Sequence, residues 1–183
     1  KVIDNENGKV NFKMAKKAAK SETPANGAAE AQGAAPSLSV LTQYIKDFSF
    51  ENPNSPNSLL PKEKQPEISI NINVNANPLA ETDYEVVLNI QAKAGEGKDM
   101  LFNCEMSYAG IFRLVNIPED AKHAAVLIEC PRLLFPFARH IVSDATRNGG
   151  FPPLMIDPVD FARLYQSRMA QMAEAESAKA TKS

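Results

Sequence analysis

The chain has no tryptophan, only two cysteines and only two histidines in 183 residues. Two cysteines form at most one bridge, so a disulfide scaffold is excluded. Two histidines, His123 and His140, offer no HExxH or paired-ligand spacing, so a metal centre is not expected. No long hydrophobic run exists either. The longest apolar stretches, such as residues 133–138, fall far short of the roughly 20 residues a membrane-spanning helix needs. The first residues hold no apolar run of seven or more, so a secretory leader is not expected there, and a reducing cytoplasmic setting fits best.

Neither sign of charge dominates. The formal net charge is −2, so nothing points to a nucleic acid or an anionic membrane as the principal partner. Six Lys and four acids occupy residues 1–37, whereas residues 38–173 carry twelve Lys or Arg against sixteen Asp or Glu. The part able to fold is mildly acidic and suits a basic partner. With 44% hydrophobic and 23% charged residues, one core of ordinary size is expected.

Residues 1–37 are rich in Ala, Gly, Lys, Asn and Ser, without a sustained apolar period. Such a segment cannot offset the entropy of ordering and reads as a disordered arm. Met14, followed by AKKAAK, reads as a second start site, which would make residues 1–13 an upstream-derived extension. The expected domain spans 38–173, with a polar tail over 174–183.

Period-two alternation dominates the middle. Ile68, Ile70, Ile72 and Val74 face one way and Ser69, Asn71, Asn73 and Asn75 the other, which makes a half-buried strand. Tyr84, Val86, Leu88, Ile90 and Ala92 repeat the pattern, and GEGK at 95–98 reads as a hairpin loop into a third run over 100–108. Phe48 and Phe50 mark an earlier strand ending at Glu51. Four strands of this kind predict an antiparallel sheet with one wet face. Residues 51–67, with prolines at 53, 56, 61 and 66, form a long connection carrying the apolar pair Leu59 and Leu60. Helices are expected over 118–128 and 132–148, separated at Cys130-Pro131. A last helix is expected from Asp157-Pro158, with the stripe Phe161, Leu164, Tyr165, Met169 and Met172.

Chemistry finds little footing. His140, Ser143 and Asp144 fall at i, i+3 and i+4 of one helix, but a catalytic triad gathers from separate elements beside its own oxyanion donors. A cysteine-dependent hydrolase built on Cys104 or Cys130 is the enzymatic alternative, and thiol reactivity discriminates it. Gly95-Glu96-Gly97-Lys98 joins strands instead of opening a helix, so it is no phosphate loop. No cofactor is expected. Asp47 and Glu51 share one face of the first strand, opposite Phe48 and Phe50, and Glu105 stands on another strand; an acidic wet face is ordinarily solvation alone.

The block LLFPFARHIVSDATRNGGFPPLMIDPVDFARLY at 133–165 resembles the SecB family of protein-export chaperones. It holds that family's Leu-Phe-Pro-aromatic-Ala-Arg helix start at residues 134–139, its Gly-aromatic-Pro turn at 150–152 and its Pro-Val-x-Phe helix entry at 158–161. YIKDFSFENPN at 44–54, QPEISINI at 65–72, YEVVLNI at 84–90 and CEMSYAGIF at 104–112 are similar to further family segments, so the resemblance runs over 42–170. Two positions depart from it. Lys64 stands where a tryptophan is frequent, and Asn103 where some members carry leucine.

The resemblance implies an α+β subunit, a four-stranded antiparallel sheet with helices on one side, assembling as a homotetramer, a dimer of dimers. It implies a cytoplasmic, ATP-independent holdase that binds unfolded secretory precursors and delivers them to the SecA ATPase. Implied substrate contacts are Ile68, Ile70, Ile72, Phe161 and Tyr165, joined by Leu59 and Leu60 in the connection. Implied SecA contacts are Asp47, Glu51 and Glu105. A SecB-like chaperone of a toxin-antitoxin or stress system is the alternative within the same fold.

Overall fold

The computed structural model describes residues 35–61 and 66–180, with side chains described through Glu174. The expected arm therefore lies outside the described residues up to 34, as does Lys64. Ser37, the last residue assigned to that arm, opens the first strand.

Four strands form one antiparallel sheet: β1 (Ser37–Glu51), β2 (Ile68–Pro78), β3 (Asp83–Ala94) and β4 (Phe102–Val115). Their spatial order is β1-β4-β3-β2, so β1 and β2 are the edges. β2 starts where the alternation starts, at Ile68, and runs three residues past Asn75. β1 and β4 are far longer than expected, with β1 extending fourteen residues back from Glu51.

Register sorts the side chains onto two faces. On one face Phe48, Met106, Ile90 and Ile72 share a cross-strand row, followed by Phe50, Cys104, Ala92 and Ile70. On the other, Asp47, Ser107, Asn89 and Asn73 share a row, followed by Ser49, Glu105, Gln91 and Asn71. The first face is covered by helix and supplies the core with Val86, Leu88, Ile90 and Phe112, each at most 2% exposed. Burying one such side chain contributes about 1.5–3 kcal/mol. The second face is polar and wet.

Past β4, Asn116 takes a left-handed φ of 57°, and α1 (Glu119–Ala124) begins with Glu119 and Asp120 at its positive dipole end. The break expected at Cys130-Pro131 is absent. A π-helical stretch, Ala125–Glu129, leads directly into α2 (Cys130–Asn148). Cys130 N–H bonds the Ala125 carbonyl five residues back, and the widened turn carries the chain into Pro131, which has no N–H to give. α2 packs on β3 and β4 through Leu134, Phe135, Ala138 and Val142.

Two glycines end α2 for different reasons. Gly149 leaves space that the Phe50 ring fills. Gly150 has φ +88° and lies against Leu59, whose side chain would come within 3.0 Å of an added Cβ.

The last helix starts later than expected. α3 (Phe161–Ala180) is capped by Asp160, whose carboxylate accepts the Arg163 N–H at 3.0 Å. Asp157 and Pro158 precede it outside any helix, and further upstream buried Thr146 ties down the chain that leaves α2: its hydroxyl accepts the Leu154 N–H at 2.9 Å, and its carbonyl the Phe151 N–H at 3.1 Å. α3 passes Glu174, where a tail was expected, and continues to Ala180.

Candidate functional site

α3 runs beside the edge strand β2, and one side chain ties the two together. The Arg168 guanidinium donates to the Val74 carbonyl at 2.5 Å and to Asn73 Oδ1 at 3.2 Å. An edge strand presents unpaired backbone groups, and this cation satisfies one of them. Two grooves open along the junction.

The first, about 610 Å³ in volume, is lined by the polar rows that include Asp47, Asn89, Gln91 and Glu105, and then by Ile72 and Tyr165 at the β2 and α3 side. The second, about 700 Å³, lies between β2, α1 and α3, with Tyr84, Val126, Leu127, Tyr165, Met169 and Met172 among its lining. Val74, Leu127, Tyr165 and Arg168 line both. Tyr165 is held at that boundary by His123, whose Nδ1 lies 2.8 Å from the phenol oxygen, with the rings edge to face at 5.4 Å.

The expected substrate contacts are not gathered in one place. Ile72 and Tyr165 meet in the first groove. Ile68 and Ile70 line neither groove and stand 45% and 37% exposed on the β2 edge, and Leu59 and Leu60 are 46% and 62% exposed in the connection. Phe161 is a correction. It is 1% exposed and packs edge to face on Phe135 at 5.9 Å, because it is the first residue of α3 and anchors that helix in the core.

The acidic trio is brought together. Glu105 pairs with Ser49, which lies between Asp47 and Glu51 on the same face of β1. Glu105 accepts from Gln91 Nε2 at 2.6 Å and Asn103 Nδ2 at 3.1 Å, and the Asn103 and Gln91 bonds hold its carboxyl below the usual range. Among the described residues, no hydrogen bond or salt bridge pairs the Asp47 or Glu51 side chain. Further along this face the charges are paired within the subunit: Glu85 takes Lys46 at 2.8 Å and Tyr44 at 2.5 Å, and Asp83 takes Arg113 at 2.8 and 2.7 Å.

Enzymatic geometry does not form at the residues considered for it. Ser143 is buried and donates to the Met155 sulfur at 3.4 Å, while Asp144 bonds Arg147 and lies 3.2 Å from His140. Cys104 and Cys130 are buried free thiols. Burial, and then the neighbouring Glu105 or Glu129, pushes them up to about 11 and about 12, so the nucleophilic thiolate is scarce at neutral pH. Among the described residues no cluster of three or more metal-binding side chains occurs, and no helix is long and apolar enough to cross a membrane.

The family model for SecB, the preprotein translocase subunit, matches residues 31–172. The chain belongs to the SecB family. It is 58% identical over 158 residues to the protein-export protein SecB of Brucella anthropi, covering 86% of this chain and 94% of that one. It is 58% identical over 165 residues to that of Brucella canis, covering 90% and 98%, and 56% identical over 152 residues to that of Rhodopseudomonas palustris, covering 83% and 96%. Among solved structures, a Mycobacterium tuberculosis SecB-like chaperone in complex with a ChAD peptide from the HigA1 antitoxin superposes with a TM-score of 0.50 at 16% identity, over 67% of this chain and 89% of that one. At that identity the likeness speaks for the fold. The SecB family consists of chaperones of protein export.

Within this SecB frame, the sequence reading passed over Arg168 altogether and placed Met169 and Met172 on the apolar stripe of the last helix without assigning them to a groove. Arg168, Met169 and Met172 follow Tyr165 at i+3, i+4 and i+7, one face of a helix, and that spacing was the available signal. His123 had none, because its partner lies 42 residues away on another helix.

Proposed function

We propose that this protein is an ATP-independent holdase that captures unfolded secretory precursors along the β2–α3 junction. The observation that carries the reading is the pair of grooves meeting at Tyr165, with Met169 and Met172 exposed on their helix side; Ile68 and Ile70 are exposed on the β2 edge outside them. Apolar side chains left open beside a groove suit a binding surface, and an unfolded chain offers apolar side chains without demanding one sequence. The protein performs no chemistry on its clients.

Delivery to the SecA ATPase runs through Asp47, Glu51 and Glu105. Like charges held together are mildly unfavourable unless a partner's Lys or Arg offsets them, and such a contact weakens as salt rises. Asn103 lowers the Glu105 pKa through its hydrogen bond but contributes no apolar contact where some relatives have leucine.

The working form is a cytoplasmic dimer of dimers. Supporting this, Val40, Ile45 and Phe48 on edge strand β1 and Leu133 and Phe137 on α2 are 39–53% exposed in the single subunit, an apolar surface suited to a second copy.

The test is titration of a reduced, unfolded precursor and of its native form, with and without ATP. Tight binding of the unfolded form alone, unchanged by ATP, is the expected result. Equal affinity for the native form, or dependence on ATP, would overturn the reading.

A further inference from the structure

The chain has six methionines, and their settings differ sharply. Met106 is 2% exposed in the core and Met100 is half-buried; Met14 lies outside the described residues. Met155 is 60% exposed but lines neither groove of the β2–α3 junction. Met169 and Met172, 42% and 54% exposed, line the apolar groove beside Tyr165, with buried Val126 deeper in it.

Two thioethers at the mouth of a binding groove are both useful and vulnerable. Unbranched and polarisable, they adapt to varied apolar side chains. Open to solvent, they also meet dissolved oxidants. The cysteines do not intercept peroxide: both are buried, and their thiols are pushed up to about 11 and about 12, whereas peroxide reacts with the thiolate.

We propose that Met169 and Met172 are a reversible oxidation site through which hydroperoxides lower the groove's capacity for apolar polypeptide segments. This rests on the reading of the β2–α3 junction as the client surface. A sulfur lone pair attacks one peroxide oxygen and the O–O bond breaks. A sulfur–oxygen bond forms, and the departing hydroxide takes the remaining proton and leaves as water. Each methionine is oxidised by two electrons to its sulfoxide while one hydrogen peroxide is reduced. The product is a polar acceptor at the groove mouth, which an apolar client would have to desolvate. Thiol-dependent methionine sulfoxide reductases reverse the step.

The experiment treats the full chain with hydrogen peroxide, removes the oxidant, locates sulfoxides by peptide mass mapping, and then measures the Kd for a reduced, alkylated, unfolded precursor. Oxidation at 169 and 172 with an unchanged melting profile and oligomer size should weaken binding roughly tenfold. The double variant Met169→Leu/Met172→Leu, close in volume, should show the same Kd before and after peroxide, whatever its untreated affinity. Met155→Leu should give no protection, and sulfoxide reductase should restore binding to the oxidised parent. Unaltered Kd despite sulfoxides at both positions overturns the proposal, as does equal loss in the double variant. Failure of peroxide to modify them does so too. If the untreated protein does not bind the unfolded precursor, the client-surface reading fails and takes this proposal with it; if it binds and only the peroxide effect is missing, this proposal alone falls.

Discussion

Asn103 donates a 3.1 Å hydrogen bond to the Glu105 carboxylate two residues along β4. Both side chains lie on the polar face, and the bond is the largest cause of that carboxyl's low pKa. Replacing Asn103 with leucine removes the donor and leaves Gln91. The Glu105 pKa should therefore rise toward the ordinary carboxylate range, which an NMR titration of its side-chain carboxyl would read. An unmoved titration would show that Gln91 alone sets the charge.

Glu85 gives a second pH-linked test. Lys46 and Tyr44, with Asn77, hold its carboxyl below the usual value. A depressed folded pKa contributes stability that is whole above the unfolded value near ~4.3 and is lost as pH falls through the folded one. Glu85→Gln should cost about 1 kcal/mol at neutral pH, given that Lys46 is 46% exposed. Its stability should also fall less steeply than the parent's below about pH 4. Parallel curves in denaturant melts across pH would contradict this.

Arg168 should fix the width of both grooves by pinning α3 to the Val74 carbonyl. Loss of a charged hydrogen bond to a backbone oxygen costs about 1–3 kcal/mol. Arg168→Ala should accordingly speed amide hydrogen exchange in α3 more than in β4. Uniform exchange changes, or none, would mean the contact does not hold the helix.

Assembly is tested on the uncovered apolar faces. Ile45→Glu and Phe137→Glu place charges where 49% and 53% exposure in the subunit suits a neighbouring copy. Light scattering should give the parent near four times 20.0 kDa and the variants a smaller species with intact circular dichroism. Variants that remain tetrameric would move the interface elsewhere.

The strands are legible in the sequence where the period is clean, whereas their order in the sheet is not. Ile68 to Val74 alternates without fault, and β2 appeared almost to the residue. β1 did not, because its register shifts between Val40 and Thr42 and between Ile45 and Asp47. Two bulges reset the alternation, so helix-side residues fall three apart at Val40 and Gln43 and again at Ile45 and Phe48. β4 continues past Tyr108 through Ala109, Gly110, Ile111 and Phe112, apolar on both faces, where period two carries no signal. Pro131 suggested a helix boundary, and the π-helical turn before it is a backbone solution that residue types do not announce. Asp47 and Glu51 were legible as one face because position parity fixes the face of a strand, whereas Glu105 joined them only through the family resemblance. The groove was not legible, since it needs α3 placed beside β2, a tertiary relation held by Arg168.

The most direct test of the account is where an unfolded client touches the protein. A photoreactive side chain at Ser167, which lines the first groove, should cross-link an unfolded precursor and not its native form. The same group at Glu96, exposed in the β3–β4 hairpin and outside both grooves, should give little product. Strong cross-linking at Glu96 with none at Ser167, in a complex that demonstrably forms, would contradict a client site along the β2–α3 junction.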